Sequence, residues 1–190
     1  MGKEISEMTL EELWELFPII LSEHRAEWSD WFEEERALLR ALLPAADTAR
    51  ISHIGSTAVS TIWAKPTVDI LIEFKWADGL QAAVDALRNV EGYIPMYMHK
   101  TRASFVKGYT LQGFAQRVFH LHLRVWGDND ELYFRDYLKE HFDTAREYEA
   151  LKLGLWKQYE HNRDAYTDAK GSFVKEATRR AKQLYGERYA

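Results

Sequence analysis

Three short stretches hold the side chains able to do chemistry. Asp69 sits inside Val68-Asp69-Ile70-Leu71-Ile72-Glu73-Phe74, an almost unbroken apolar run. A carboxylate there is costly to bury unless it binds something. In residues 117–126, His120, His122 and Arg124 alternate with Phe119, Leu121, Leu123 and Val125. On a strand this puts both imidazoles on one face, with Cα atoms roughly 7 Å apart. Both rings can then reach one divalent ion, or move protons near neutral pH. Gly55-Ser56 lies thirteen residues before Asp69. A Gly-Ser turn at a helix start lets backbone N–H groups approach phosphate oxygens, and the Ser56 hydroxyl adds a donor. The plain alternatives are a capped tight turn and a pair of structural histidines.

Other charged residues surround these three. Lys65, just before Pro66, can neutralise a phosphate as a point charge or be a solvated loop lysine. His53 either enters the same cleft or hydrogen-bonds a neighbour on its strand. Glu73 shares the face of Asp69, but four strand residues span roughly 13 Å. It is therefore too distant to share a metal with Asp69 and takes a structural or outer role. Arg124 extends the histidine face and completes an anion site. Arg135, Arg146 and Lys152 fall on later helices, where Arg135-Asp136 reads equally as an internal ion pair. Lys100-Thr101-Arg102 with Lys107-Gly108 is either a basic lid over phosphates or a hairpin.

The elements that must position these groups follow from periodicity. Residues 8–17 read as a short amphipathic helix, and 18–21 as a strand or an extended lead-in. Residues 26–43 carry a helical stripe that Pro44 stops. Residues 50–54 and 67–74 read as strands, the latter covered on both faces. A helix over 79–90 precedes strands near 92–94 and 104–109, and the alternating 117–126 strand. Everything after Asp130 reads as helical, with Asp130, Asp143 and Thr167 as N-caps. Phe173, Ala177, Ala181 and Leu184 form the last buried stripe. Trp14, Trp28, Trp31, Trp126 and Trp156 read as core. The predicted class is α+β, with a mixed sheet core over about 18–127 and a helical region over about 130–188. Together they make one domain over 1–190.

Composition sets limits. Seven Trp, ten Tyr and nine Phe can fill a sizeable core. A net charge of −5 provides no global attraction to nucleic acid or anionic lipid, so DNA and membrane partners are not expected. With no Cys, disulfides, zinc fingers and Cys nucleophiles are excluded, and a reducing cytoplasm is compatible. No run approaches the ~20 apolar residues of a membrane span. The N-terminus lacks a secretory pattern, while Met1-Gly2 with Ser6 formally fits the short myristoylation pattern.

Beyond single residues, the chain resembles the GrpB family of bacterial proteins. The resemblance rests on His53-Ile54-Gly55-Ser56-Thr57-Ala58-Val59, Lys65-Pro66-Thr67-Val68-Asp69-Ile70 and Val118-Phe119-His120-Leu121-His122-Leu123. It continues in Phe134-Arg135-Asp136-Tyr137-Leu138, Glu147-Tyr148-Glu149-Ala150-Leu151-Lys152 and Tyr166-Thr167-Asp168-Ala169-Lys170. It implies a nucleotidyltransferase-superfamily fold, with Gly55-Ser56 as that superfamily's Gly-Ser turn. Active members usually carry two carboxylates two residues apart; here Leu71 fills the second position. A later strand often supplies a third carboxylate, and here it offers imidazoles. The implied site is thus Asp69, His120 and His122 around one divalent ion, with Gly55, Ser56, Lys65 and Arg124 on phosphate. His53, Glu73, Arg135, Lys152 and Lys170 stand behind them. Such donors suit Zn²⁺, Mn²⁺, Ni²⁺ or Fe²⁺ better than Mg²⁺. The expected ligand is a nucleoside triphosphate or another phosphorylated small molecule. Two activities stay open: metal-assisted nucleotidyl or phosphoryl transfer, and non-catalytic binding.

Overall fold

A computed structural model describes residues 7–189; the Met1-Gly2 and Ser6 pattern lies outside the described residues. Helix α1 (Leu10–Leu16) starts on a capping box. Thr9 Oγ1 accepts from the Glu12 N–H, and the Glu12 carboxylate accepts from the Thr9 N–H. Helix α2 (Glu27–Leu42) buries Trp28, Trp31, Phe32, Glu35 and Leu39, the three-four spacing of one helix face. Strand β1 (Thr48–Ile54) leads through a one-turn 3₁₀ segment (Ser56–Ala58) to strand β2 (Val68–Phe74). Helix α3 (Ala77–Arg88) precedes strands β3 (Tyr93–His99), β4 (Arg102–Thr110) and β5 (Gly113–Val125). Helices α4 (Asp130–Glu140), α5 (Phe142–Tyr159), α6 (Arg163–Ala169) and α7 (Gly171–Tyr185) complete the α+β order. Among the described residues no helix is long and apolar enough to cross a membrane.

The strands form one mixed sheet in the order β1-β2-β5-β4-β3. Only the β2–β5 pair is parallel. Alternation divides β2 and β5 cleanly. Val68, Ile70, Ile72 and Phe74, with Phe119, Leu121 and Leu123, pack against α2 and α3 in the main core. The opposite face carries Asp69, Leu71 and Glu73 beside His120, His122 and Arg124. Helix α4 covers part of that face through Leu132, which packs on Ile54 and Leu71.

Three glutamates are buried with partners, as burial requires; Glu149 accepts from the Trp63 N–H and pairs with Arg146. Glu35 accepts from Lys107 Nζ and from the Tyr93 hydroxyl. Burial and the Glu35 charge push the Tyr93 hydroxyl's pKa up. Glu73, with no exposed side-chain surface, is held by the Arg50 guanidinium and the Asn129 amide. Its role there is to tie β1 and β2 to the start of α4.

Two open alternatives are decided and other expectations are corrected. Residues 18–21 take the extended lead-in alternative, fixed by Ile19 N–H to Glu160 O and by the Ser22–Ala64 bridge. The basic residues at 100–107 take the hairpin alternative in β3–β4, and Lys107 is committed to Glu35. The N-cap positions are Asn129, His141 and Asn162, one to five residues before the expected ones. Of these, Asn162 caps through its side chain, accepting from the Ala165 N–H. Trp126 is 43% exposed under the Arg50 guanidinium, and Leu184 is 60% exposed, so neither is core.

Removing one partner of the buried Glu73 pair strands a charge in the core. Arg50→Met should lower stability by about 3 kcal/mol in urea unfolding. Adding Glu73→Leu to that variant should recover most of the loss.

Candidate functional site

The site grows out of the pairing of β2 with β5. Asp69 lies opposite His120, and Leu71 opposite His122. The Asp69 Oδ1 atom is 3.4 Å from His120 Nδ1 and 3.2 Å from His122 Nε2. One donor atom from each of the three side chains falls within 4.8 Å of the others. Burial opposes ionisation of Asp69, but hydrogen bonds from His120 and His122, and their charge, outweigh it. The carboxyl is held below the usual carboxylate range. Burial depresses His120 despite the pull of Asp69. An ionised carboxylate beside a neutral imidazole is the state that ligates metal. The donor set therefore fits a single divalent ion of the Zn²⁺, Mn²⁺, Fe²⁺ or Ni²⁺ type.

An outer layer fixes this cluster. Tyr109 Oη lies 2.8 Å from His120 Nε2, and Arg163 donates to the same oxygen. With Nδ1 turned to Asp69, the Nε2 side of His120 is oriented by that contact. Tyr109 reaches this face only because of a bulge. The β4 register slips between Lys107 and Tyr109. There Gly108 has φ +88°, and an added Cβ would overlap the Arg117 carbonyl. Without the slip, alternation would place Tyr109 on the core side with Lys107.

The turn after β1 closes over Asp69. Gly55 has φ +71°, and a Cβ built on it would overlap Asp69 Oδ2 and lie 3.0 Å from its Cγ. Glycine is thus required both by conformation and by contact. The turn is braced from the other side of the sheet. Thr57 Oγ1 donates to the Thr67 carbonyl, so it accepts from His53 Nε2 at 2.9 Å. His53 pairs with Ile70, not Asp69, and stacks on Phe32. Its side chain therefore lies on the core face and stays out of the cleft. Burial draws its pKa down to about 4, against the Asp69 charge and helped by Lys139 and Arg135.

A cleft of about 480 Å³ opens in front of the cluster. Gly55, Ser56, Lys65, Asp69, His120 and His122 line it, together with Lys152, Arg163, Tyr166 and Lys170 from the C-terminal helices. Lys152 is 2% exposed; its ammonium donates to Ser56 Oγ at 3.1 Å and to the Trp63 carbonyl. Lys65 and Lys170 both sit against the buried Tyr166 ring, their nitrogens 5.6 and 4.7 Å from its centroid. Among the described residues none of these three lysines has a carboxylate at ion-pair distance. Burial, then the charges of Lys170 and Arg163, lowers Lys65 to about 7. Burial and Lys170 lower Lys152 to about 7, and burial also lowers Lys170. A second cavity, about 710 Å³, lies between α4 and α7 and shares Gly55, Asp69, His122 and Lys170 with the first.

The structure thus gathers Gly55, Ser56, Lys65, Asp69, His120, His122, Lys152 and Lys170. It leaves out His53 and Glu73, described above, and two arginines. Arg124 lines neither cavity; it faces Asp128 and Glu131 and donates to the Ala103 and Leu123 carbonyls. The expected anion-binding role of Arg124 is therefore corrected to a structural tie. Arg135 pairs with Asp136 and donates to the His53 carbonyl and the Tyr189 hydroxyl. Tyr109 and Arg163 were not predicted. A bulge hid the first, and Arg163 shows no pattern on its seven-residue helix that separates it from surface arginines.

A mixed sheet with a glycine turn packed on a strand aspartate, and a basic cleft before it, is the arrangement of nucleotidyltransferase-like folds. The sequence profile described as GrpB protein matches residues 18–180, and the chain belongs to that family. It is 30% identical to the glutamate-rich protein GrpB of Alkalihalophilus pseudofirmus, over 83% of this chain and 92% of that protein. It is also 30% identical to the UPF0157 protein YqkA of Bacillus subtilis, over 84% of this chain but only 46% of that longer protein. Among solved structures, conserved protein GrpB from Enterococcus faecalis is similar at a TM-score of 0.75 and 27% identity, covering 87% of this chain and 99% of that one. The Cid1 poly(U) polymerase, bound to MgGTP, superposes at a TM-score of 0.50 with 10% identity, over 78% of this chain and 46% of its own. That likeness is one of fold.

Gly55→Ala forces a side chain against Asp69. It should lower stability by about 2 kcal/mol in urea unfolding. It should also abolish any rise in melting temperature that Mn²⁺ gives the unaltered protein.

Proposed function

We propose that this cleft binds a phosphorylated small molecule, with a nucleoside triphosphate as the leading candidate, and transfers a nucleotidyl or phosphoryl group from it. The observation that carries the proposal is a set of three lysines, Lys152 buried and Lys65 and Lys170 half-buried, that lack a carboxylate partner among the described residues and line one cleft with an aspartate–imidazole cluster. Like charges are expensive to hold together in a low-dielectric cleft unless an anion fills it. Lys65, Lys152 and Lys170 would neutralise phosphate oxygens, and the Gly55–Ser56 turn allows the close approach. Asp69, His120 and His122 would hold a divalent ion, which when bound would screen phosphate charge and polarise the reacting phosphorus. Tyr109 and Arg163 would keep His120 oriented during that work.

A second reading is a binding module without chemistry. What favours it is Leu71. It stands where a second carboxylate would complete a two-metal pair, and it is fully buried against Ile54 and Leu132. What favours transfer is the second cavity, which meets the first at Asp69 and His122 and would admit an acceptor beside a bound donor. Incubation with α-labelled and γ-labelled ATP, Mn²⁺ and candidate acceptors separates the readings. Label moving to an acceptor, and lost in Asp69→Ala, is the expected result. Tight binding with no labelled product would leave the module reading.

Binding should depend on pH in one direction. Lys65 and Lys152 lose their protons near pH 7 in the free protein. A bound polyphosphate stabilises the charged forms and raises both pKa values. Affinity should therefore be level below about pH 7 and fall above it, by up to about tenfold per pH unit for each lysine that must regain a proton. Calorimetric titration with ATP and Mn²⁺ between pH 6 and 9 measures this. Lys65→Arg should remove one lysine's share of the slope.

A further inference from the structure

We infer that the apolar mouth of the cleft, built by α1 and the β3–β4 hairpin, seats the flat ring of a nucleoside phosphate, with Trp14 as the stacking surface. This rests on the phosphate-binding reading and adds the part of the ligand that the lysines do not touch.

The lining of the cleft has two chemically distinct parts. Lys65, Lys152, Lys170 and Arg163 make one of them cationic. Leu10, Leu13 and Trp14 of α1, with Met96 of β3 and Val106 of β4, make the other apolar. A ligand that satisfies both must carry anionic oxygens and an apolar surface in one molecule. Inorganic polyphosphate lacks the apolar part, and a sugar phosphate lacks a flat apolar face. A nucleoside phosphate has both.

Helix α1 is built in a way that storage of core surface does not explain. It buries none of its seven residues. A helix of that length is unstable on its own. It is fixed at its start by the Thr9 capping box and just beyond its end by Phe17. Phe17 is 1% exposed and packs on the Tyr109 and Phe114 rings, with centroids 4.7 and 5.1 Å away. Between those anchors its apolar side chains turn toward the cleft, and Leu10 remains 57% exposed. Met96 of β3 lines the same cleft and is 63% exposed. An open thioether and an indole in one cleft lining suit a planar ring. Phe17 packs on Tyr109, and Tyr109 contacts His120, so the apolar wall and the metal cluster share a support.

The test compares ATP with inorganic tripolyphosphate by calorimetry in the presence of Mn²⁺. Both offer a triphosphate chain, but only ATP offers a ring. The unaltered protein should bind ATP at least about fivefold more tightly, the lower end of what one base–aromatic stack supplies. Trp14→Ala should bring ATP down to the tripolyphosphate affinity and leave tripolyphosphate unchanged. Trp14→Phe should keep most of the preference. Melting temperatures of both variants show whether the fold survives, and a Trp14 that is not buried in the core predicts that it does. Equal affinities for the two ligands in the unaltered protein, or an ATP preference that Trp14→Ala leaves intact, would overturn the ring site while sparing the phosphate site. A Trp14→Ala loss that is equal for both ligands would overturn it as well. Failure of both ligands to bind would overturn this inference together with the phosphate reading beneath it.

Discussion

The parallel pairing of β2 with β5 is the constraint on which the site depends. It is the one parallel contact in the sheet, and it sets Asp69 level with His120. A slip of one residue would turn both imidazoles into the core and bring Leu121 or Phe119 to the cleft. The apolar set Val68, Ile70, Ile72 and Phe74 against Phe119, Leu121 and Leu123 prevents that slip, because every member is buried on the α2–α3 side. Core packing and the Asp69–His120–His122 cluster are thus two faces of one register. Stability and the geometry of the cluster cannot be varied separately along these seven pairs.

Other charged groups were candidates for the cleft and turned out to hold the frame. Glu73 joins β1 to α4 through Arg50 and Asn129. His53 supports the glycine turn from behind through Thr57. Arg135 ties the His53 carbonyl to the C-terminal region through Tyr189. Each is satisfied by partners within the fold. The three cleft lysines lack a carboxylate partner among the described residues, although Lys152 donates to Ser56 Oγ and the Trp63 carbonyl, and this difference sets them apart from the groups that hold the frame.

Much of this was legible in the sequence. Period-two alternation identified the face of β2 and of β5 that carries Asp69, His120 and His122. The family motifs carried the fold. The Gly55–Asp69 relation was readable as spacing, though not as the direct contact it is. Three physical effects hid the rest. A bulge at Gly108 inverted the alternation that would have revealed Tyr109. Strand pairing set His53 opposite Ile70, a fact about register that no local pattern contains. The helical region delivers Arg163 to the cleft by tertiary packing, and on its own helix it looks like any surface cation; Lys152 and Lys170 arrive the same way and were marked only by the family motifs. Arg124 misled for the converse reason. Its face was right, but Asp128 and Glu131 follow the strand and claim it.

The packing around Leu71 also bears on how this lineage can change. Ile54, Leu71 and Leu132 come from three separate elements and pack into one buried cluster. An aspartate introduced at position 71 alone would be a buried charge among hydrocarbon neighbours. A second carboxylate at this position is therefore costly as a single replacement. Accommodating it calls for matching changes at Ile54 and Leu132. Drift at any one of the three should be answered at the other two, and homologues that differ here should differ as a set.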